Sequence, residues 1–228
     1  MGGAQAEKGS SEQVVEEGKR LFDANCASCH GPGAAGTDIA PSLSGVGAAS
    51  VHFQMATGRM PMADNSPQAE VKPPQFDTEQ INAVAAYVAT LGPGPAIPDA
   101  NAVDPAKGDP AAGMELFRTN CAMCHNAVGA GGALSEGKVA PSLMDSTPTE
   151  IYEAMLTGPQ SMPVFNEANI TPEGKRDIIA YLDHMQNDTS VGGANLGSIG
   201  PVAEGMWVWV LGIGGLIAVS VWIGAKKS

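Results

Sequence analysis

The sequence predicts an all-α protein: two tandem copies of one helical domain, followed by a single membrane-spanning helix. Three observations predict it. A set of landmarks recurs in the same order, apolar residues recur at helical rather than alternating spacing, and one charge-free apolar run closes the chain.

The repeat is read without a gap over thirteen positions. Gly18-Lys-Arg-Leu-Phe-Asp-Ala-Asn-Cys26-Ala-Ser-Cys29-His30 aligns with Gly113-Met-Glu-Leu-Phe-Arg-Thr-Asn-Cys121-Ala-Met-Cys124-His125. Downstream, Ala40-Pro41-Ser42-Leu43 matches Ala140-Pro141-Ser142-Leu143. Thr57-Gly58 with Met60-Pro61 matches Thr157-Gly158 with Met162-Pro163, and Ala86-Tyr87 matches Ala180-Tyr181. These matches set domain one at 13–92 and domain two at 112–188. Residues 1–12 form an N-terminal segment, 93–111 a Pro-, Ala- and Asp-rich linker, and 189–204 a Gly-rich linker.

Each copy reads as helix, loop, helix. Val14, Val15, Gly18, Leu21 and Phe22 recur at helical spacing before the first cysteine. The closing helix of domain one opens on Asp77 with Gln80 three residues on, a capping box. Ile81, Val84, Ala85 and Val88 form its apolar stripe. Its counterpart opens on Thr171-Pro172-Glu173, a cap followed by proline in the first turn, and carries Ile178, Ile179 and Leu182. Neither copy shows the period-2 runs of a sheet.

Residues 206–224, MWVWVLGIGGLIAVSVWIG, carry no charge. At ~1.5 Å per residue they span roughly 28 Å, close to the hydrocarbon core of a bilayer. The spanning helix is set at 205–225, with Trp207 and Trp209 at one interface and Trp222 at the other. Glu204 precedes it and Lys226 and Lys227 follow, so the C-terminus is expected in the cytoplasm and both domains outside.

The formal net charge of −12 argues against a nucleic-acid partner, which needs clustered Lys and Arg. Aromatics make up only 5% of the chain, too little to fill two small cores unaided. A buried prosthetic group would supply the missing apolar volume.

All four cysteines fall in the two C-x-x-C-H units, Cys26/Cys29/His30 and Cys121/Cys124/His125. This is the signature of covalent c-type haem attachment. Two thiols three residues apart reach the two vinyl groups on one porphyrin edge, and the adjacent histidine turns its imidazole onto the iron. A thioredoxin-type pair would expect a βαβ context, which is absent. A zinc site would join two C-x-x-C units, and these lie in separate repeats. Haem is attached outside the cytoplasmic membrane, yet MGGAQAEKGSSEQV holds no apolar export run. An export or anchor segment is therefore expected upstream of this numbering.

The repeats resemble class I cytochrome c domains, which place a methionine on the far side of the haem in a loop before the last helix. Met162, followed by Pro163, has that position in domain two. In domain one the choice lies between Met60 and Met62, and Met60 is preferred because Pro61 reproduces the Met-Pro pair. His and Met on opposite faces make a closed, six-coordinate iron that passes single electrons. The carbonyls of Pro41 and Pro141 are expected to accept the Nδ1 proton of the proximal histidines. His52 and His184 are read as non-ligands. Asn25 and Asn120 are read as bracing the turn before each motif. Tyr87 and Tyr181 are read as packing the closing helix against the haem or the first helix.

Taken together, the motifs, the Thr-Gly…Met-Pro loops and the C-terminal anchor give a wider likeness. The chain resembles the dihaem cytochrome cc subunit of the actinobacterial menaquinol:cytochrome c reductase, the cytochrome bc1 complex. Gly58-Arg59-Met60-Pro61, Gly131-Gly132-Ala133-Leu134-Ser135, Leu156-Thr157-Gly158-Pro159-Gln160 and Asp177-Ile178-Ile179-Ala180-Tyr181 carry the likeness. It implies two covalently bound haem c groups and an electron-carrier subunit of an oxidoreductase, with no catalytic residue of its own. It also implies cytochrome b, a Rieske iron–sulfur subunit and the copper A subunit of an aa3-type oxidase as partners. The first haem would accept from the Rieske centre and the second would donate to copper A. A free membrane-tethered dihaem cytochrome, or a cytochrome subunit of another oxidase, is the nearest alternative. A dihaem peroxidase would need an open iron position.

Overall fold

A computed structural model describes residues 2–64, 66–187 and 201–226. Domain one contains α1 (Gly2–Asn25), α2 (Ala27–His30), α3 (Gly47–Ala56) and α4 (Thr78–Ala89). Domain two contains α5 (Pro110–Asn120), α6 (Ala122–His125), a hairpin of β1 (Gly132–Ala133) and β2 (Val139–Ala140), α7 (Pro148–Thr157) and α8 (Pro172–Asn187). A final helix, α9, covers Pro201–Ala225.

The fold is mostly helical, and the hairpin is a departure from the sheet-free expectation. It is antiparallel, pairs Gly132 with Ala140 and Ala133 with Val139, and is too short to leave a period-2 signal. Each domain also has a third long helix, α3 or α7, where the sequence reads as loop. The start of α7 carries a legible signal: Thr147 and Glu150 form a capping box and Pro148 stands in the first turn. The α1 helix runs upstream through the N-terminal segment to Gly2, a stretch with no proline to stop it. The α9 helix begins at Pro201, four residues ahead of the expected start, with proline at its first position. Residues 188–200, the end of domain two and most of the Gly-rich linker, lie outside the described residues.

Both domains close by the same crossing of first and last helices. A Cβ placed on Gly18 would sit 1.9 Å from the carbonyl oxygen of Ala83, and one on Gly113 would sit 1.9 Å from that of Asp177. Only glycine allows so close an approach of backbones. One turn further on, Phe22 meets Tyr87 and Phe117 meets Tyr181, each pair with ring centroids 5.5 Å apart and tilted. Both tyrosines thus pack the closing helix on the first helix. The Tyr181 hydroxyl also donates to the Ala127 carbonyl at 2.7 Å.

The Asp77–Gln80 capping box is present in both directions, at 2.9 and 3.1 Å. Thr171 caps α8 by accepting from Gly174 N at 3.1 Å. Behind these caps, Leu21, Phe22, Val84 and Val88 centre the first core, and Phe117, Ile178, Ile179 and Leu182 the second.

Along α9 the segment Gly205–Ala225 has a mean hydropathy of 2.1 and is not buried against the rest of the chain. A helix apolar on all sides and not buried among the described residues is matched to lipid by length and composition.

The crossing yields a direct prediction. Gly113→Ala forces a methyl group into the Asp177 carbonyl, so it should lower stability by about 1–3 kcal/mol in denaturant titration of the haem-loaded chain. An unchanged midpoint would mean that the crossing is looser than the structure has it.

Candidate functional site

Each C-x-x-C-H motif is one helical turn launched from the end of the preceding helix. Cys26 N donates to Phe22 O at 2.8 Å and His30 N to Cys26 O at 2.9 Å. Cys121 and His125 repeat those bonds at 2.8 and 2.9 Å. On such a turn residues i, i+3 and i+4 share a face, so both thiols and the imidazole point the same way. Asn25 and Asn120 brace the junction, each donating from Nδ2 to the carbonyl four residues back at 2.9 Å.

The histidines are held by their backs. His30 Nδ1 lies 2.8 Å from Pro41 O, and His125 Nδ1 lies 3.0 Å from Pro141 O. A carbonyl can only accept, so Nδ1 carries the proton and Nε2 keeps its lone pair. Burial lowers the proton affinity of His125, which favours the neutral ring with an open Nε2 lone pair. The cysteines are unpaired, and burial pushes the Cys26 and Cys121 thiols up to about 11. A thiol so hard to ionise is a poor redox nucleophile at neutral pH.

Gly58 and Gly158 turn the chain from the middle helix into the methionine loop. Both take left-handed φ values, +66° and +58°, which glycine adopts at no steric cost. A Cβ on Gly58 would collide with the carbonyl oxygen of Lys72, and one on Gly158 would press on that of Met162. Met60 packs against the first core together with Cys26, and Met162 against the second, which includes Cys121. Met62 is half-buried.

In domain two these parts meet around one cavity of about 670 Å³, with Cys121, Cys124, His125, Pro141 and Met162 on its walls. Its remaining lining is chiefly apolar, including Phe117, Ile178 and Leu182. A volume and lining of this kind suit a flat apolar macrocycle, with thiols and imidazole supplied from one side and a thioether also on the wall.

Part of that wall belongs to domain one. Phe53, Arg59, Gln68, Val71 and Lys72 line the same cavity. The domains are clasped beside it: Gln68 donates to Val139 O at 2.7 Å and accepts from Val139 N at 2.9 Å. Across α3 and α7, His52 Nδ1 lies 2.8 Å from Oε2 of Glu153, whose side chain is fully buried. No local motif in the sequence reveals this partner of His52. His184 is exposed on α8.

Comparison with known proteins extends these observations. A family model described as cytochrome c matches residues 15–92, and one described as cytochrome c oxidase, cbb3-type, subunit III matches residues 108–182. The cytochrome bc1 complex cytochrome c subunit of Corynebacterium diphtheriae is 46% identical, covering 95% of this chain and 82% of the relative. The subunit of the same name from Mycobacterium tuberculosis is 47% identical over 96% of this chain and 80% of its own length. The cbb3-type cytochrome c oxidase subunit FixP of Sinorhizobium medicae is 32% identical over 58% of this chain and 45% of the relative.

The clasp between domains has a pH dependence of definite sign. The Glu153 carboxylate accepts a hydrogen bond from His52 and raises its proton affinity, while burial raises that of Glu153. Glu150 adds its field to both. The folded chain therefore binds these protons more tightly than the unfolded chain. The His52 contribution is full below its ordinary value of 6.5 and is lost as pH rises through the higher folded value. Thermal stability should fall between about pH 6 and 8, and His52→Gln should flatten that fall. An equal slope in the variant, followed by calorimetry, would contradict the clasp.

Proposed function

Because this chain belongs to the family of cytochrome c subunits of the cytochrome bc1 complex, we propose that it relays electrons from a Rieske iron–sulfur subunit through two haems to copper A of an aa3-type oxidase. It is a respiratory electron carrier with two covalently bound haem c groups. Each haem, when bound, supplies a reversible one-electron iron couple.

The chain's own residues hold and enclose that couple. Cys26 and Cys29, like Cys121 and Cys124, fix the macrocycle by thioether bonds on one edge. His30 and His125 present Nε2, each ring oriented through Nδ1 by the carbonyl of Pro41 or Pro141. Met60 and Met162 would supply the thioether ligands to the iron from loops that Gly58 and Gly158 start. An iron held by both a histidine and a methionine would offer no place for oxygen or peroxide, so the residues around it would serve transfer rather than turnover.

The observation that carries this reading is the cavity of domain two. It brings Cys121, Cys124, His125 and Met162 to one space, with His125 already turned by Pro141. Order along the chain then suggests acceptor first and donor second. The α9 helix anchors the chain, and Lys226 with Lys227 favours a cytoplasmic C-terminus with both domains outside. Cytochrome b completes the set of neighbours expected inside the complex. The oxidase-subunit alternative rests on relatives covering 58% of the chain, against 95–96% for the bc1 subunits.

The ligand assignment is tested by separate replacements. Met162→Ala should convert one haem to a high-spin form, and Met60→Ala the other, with loss of the sulfur-to-iron charge-transfer absorption of the oxidised haem. Met62→Ala should leave both spectra intact. A chain in which only Met62→Ala perturbs the first haem would reverse the assignment. The routing is tested by mild detergent isolation through a tag on this chain. Recovery of cytochrome b, a Rieske protein and oxidase subunits is expected, and the chain alone would contradict it.

A further inference from the structure

We infer that Arg59, a domain-one residue, is the counter-ion of a haem carboxylate in domain two. The inference rests on the haem reading above and concerns what the macrocycle's two acidic side chains meet at the inner wall of that cavity.

Four charged side chains line the cavity: Arg59, Lys72, Asp145 and Glu150. Both cations come from domain one, and domain two contributes only the two acids. A dianionic group seated in domain two therefore finds no positive side chain of that domain on the wall. Its counter-charge must cross the domain boundary or come from solvent.

Arg59 is built for that part. It is 8% exposed and stands on the cavity wall, and among the described residues no hydrogen bond or ion pair engages its guanidinium. The Phe53 ring lies 4.9 Å from the guanidinium carbon. A ring face offers the cation partial compensation but takes up none of its N–H donors. Its donors are left free on the cavity wall, and a bidentate carboxylate is the partner the guanidinium fork matches best. Lys72 is less free, since its ammonium donates to Pro61 O at 3.0 Å. Glu150 lies near enough to act on Arg59 through its field, but its own oxygen accepts from Thr147 N as part of a helix cap. The seam fixes the geometry: Gln68 and His52 lock domain one against domain two on either side. The haem of domain two is thus held by residues of both domains.

A cation beside the macrocycle favours the reduced iron. In the full-length dihaem chain, Arg59→Gln should lower the reduction potential of the domain-two haem by about tenfold in its one-electron equilibrium, 59 mV. The two haems are followed separately by their hyperfine-shifted methyl resonances during redox titration. Arg59→Lys, which keeps a point charge, should stay close to wild type in potential. Arg59 neighbours Met60, so some change at the domain-one haem is tolerated, but the larger shift must fall at domain two. A shift confined to domain one, or none at either haem, overturns the inference. If Arg59→Gln gives no haem-loaded protein, redox-difference infrared spectra of wild type and Arg59→Lys decide. The haem carboxylate bands should move when a fork is replaced by a point donor, and identical bands overturn the inference. A chain that carries no covalent haem would instead overturn the function proposed above, so the two failures are told apart.

Discussion

The first and last helices of each domain cross with a glycine at the contact, Gly18 against Ala83 and Gly113 against Asp177. The rest of each domain is placed from that crossing. It sets the height at which α1 and α5 end, and hence where the Cys-x-x-Cys-His turn begins. It also brings Phe22 to Tyr87 and Phe117 to Tyr181, so aromatic pairs fix the rotation of the two helices. With the turn placed, its thiols and imidazole share one face, and a proline carbonyl behind each ring sets the tautomer. Close backbone contact, helical period and one hydrogen bond together aim a nitrogen lone pair.

A second constraint works between the domains. The clasp of Gln68 on Val139 and the His52–Glu153 pair hold α3 near α7, and that seam runs along the cavity of domain two. Two covalent haems in domains that merely shared a linker would sample many separations. Domains locked by backbone-directed bonds and the His52–Glu153 hydrogen bond hold one relation, which favours transfer along a fixed path. The cost is a buried carboxylate: one Glu153 oxygen finds no partner within the described residues. Breaking such a pair from one side leaves a desolvated charge, which is dearer than never having built it.

Much of this was legible beforehand because it is local. The Asp77–Gln80 box, the Thr171-Pro172 start and the repeated Thr-Gly…Met-Pro loops are short-range signals with short-range causes. Tyr87 and Tyr181 left two packing partners open in the sequence, and the structure places them on the first helix. What stayed hidden depends on contacts far along the chain. His52 meets an acid 101 residues away, and Glu153 sits amid Ile151, Tyr152 and Met155, where a helical stripe reads as broken rather than paired. Lys175 is fully buried and donates to Ile170 O at 2.6 Å, which no pattern of polar residues announces. The two-residue hairpin fell below the length at which alternation means anything. Arg59 showed only as part of a family likeness, because its missing partner is visible only once both domains surround the same space.

The central claim is that this chain carries two haems by covalent attachment, one on each Cys-x-x-Cys-His turn. It is tested most directly by the intact mass of the acid-denatured chain, purified from cells able to attach haem c. The account predicts the polypeptide plus two haems, falling to one when Cys121 and Cys124 are both replaced by alanine. A denatured chain at its bare polypeptide mass, with haem recovered free in the solvent, would contradict it.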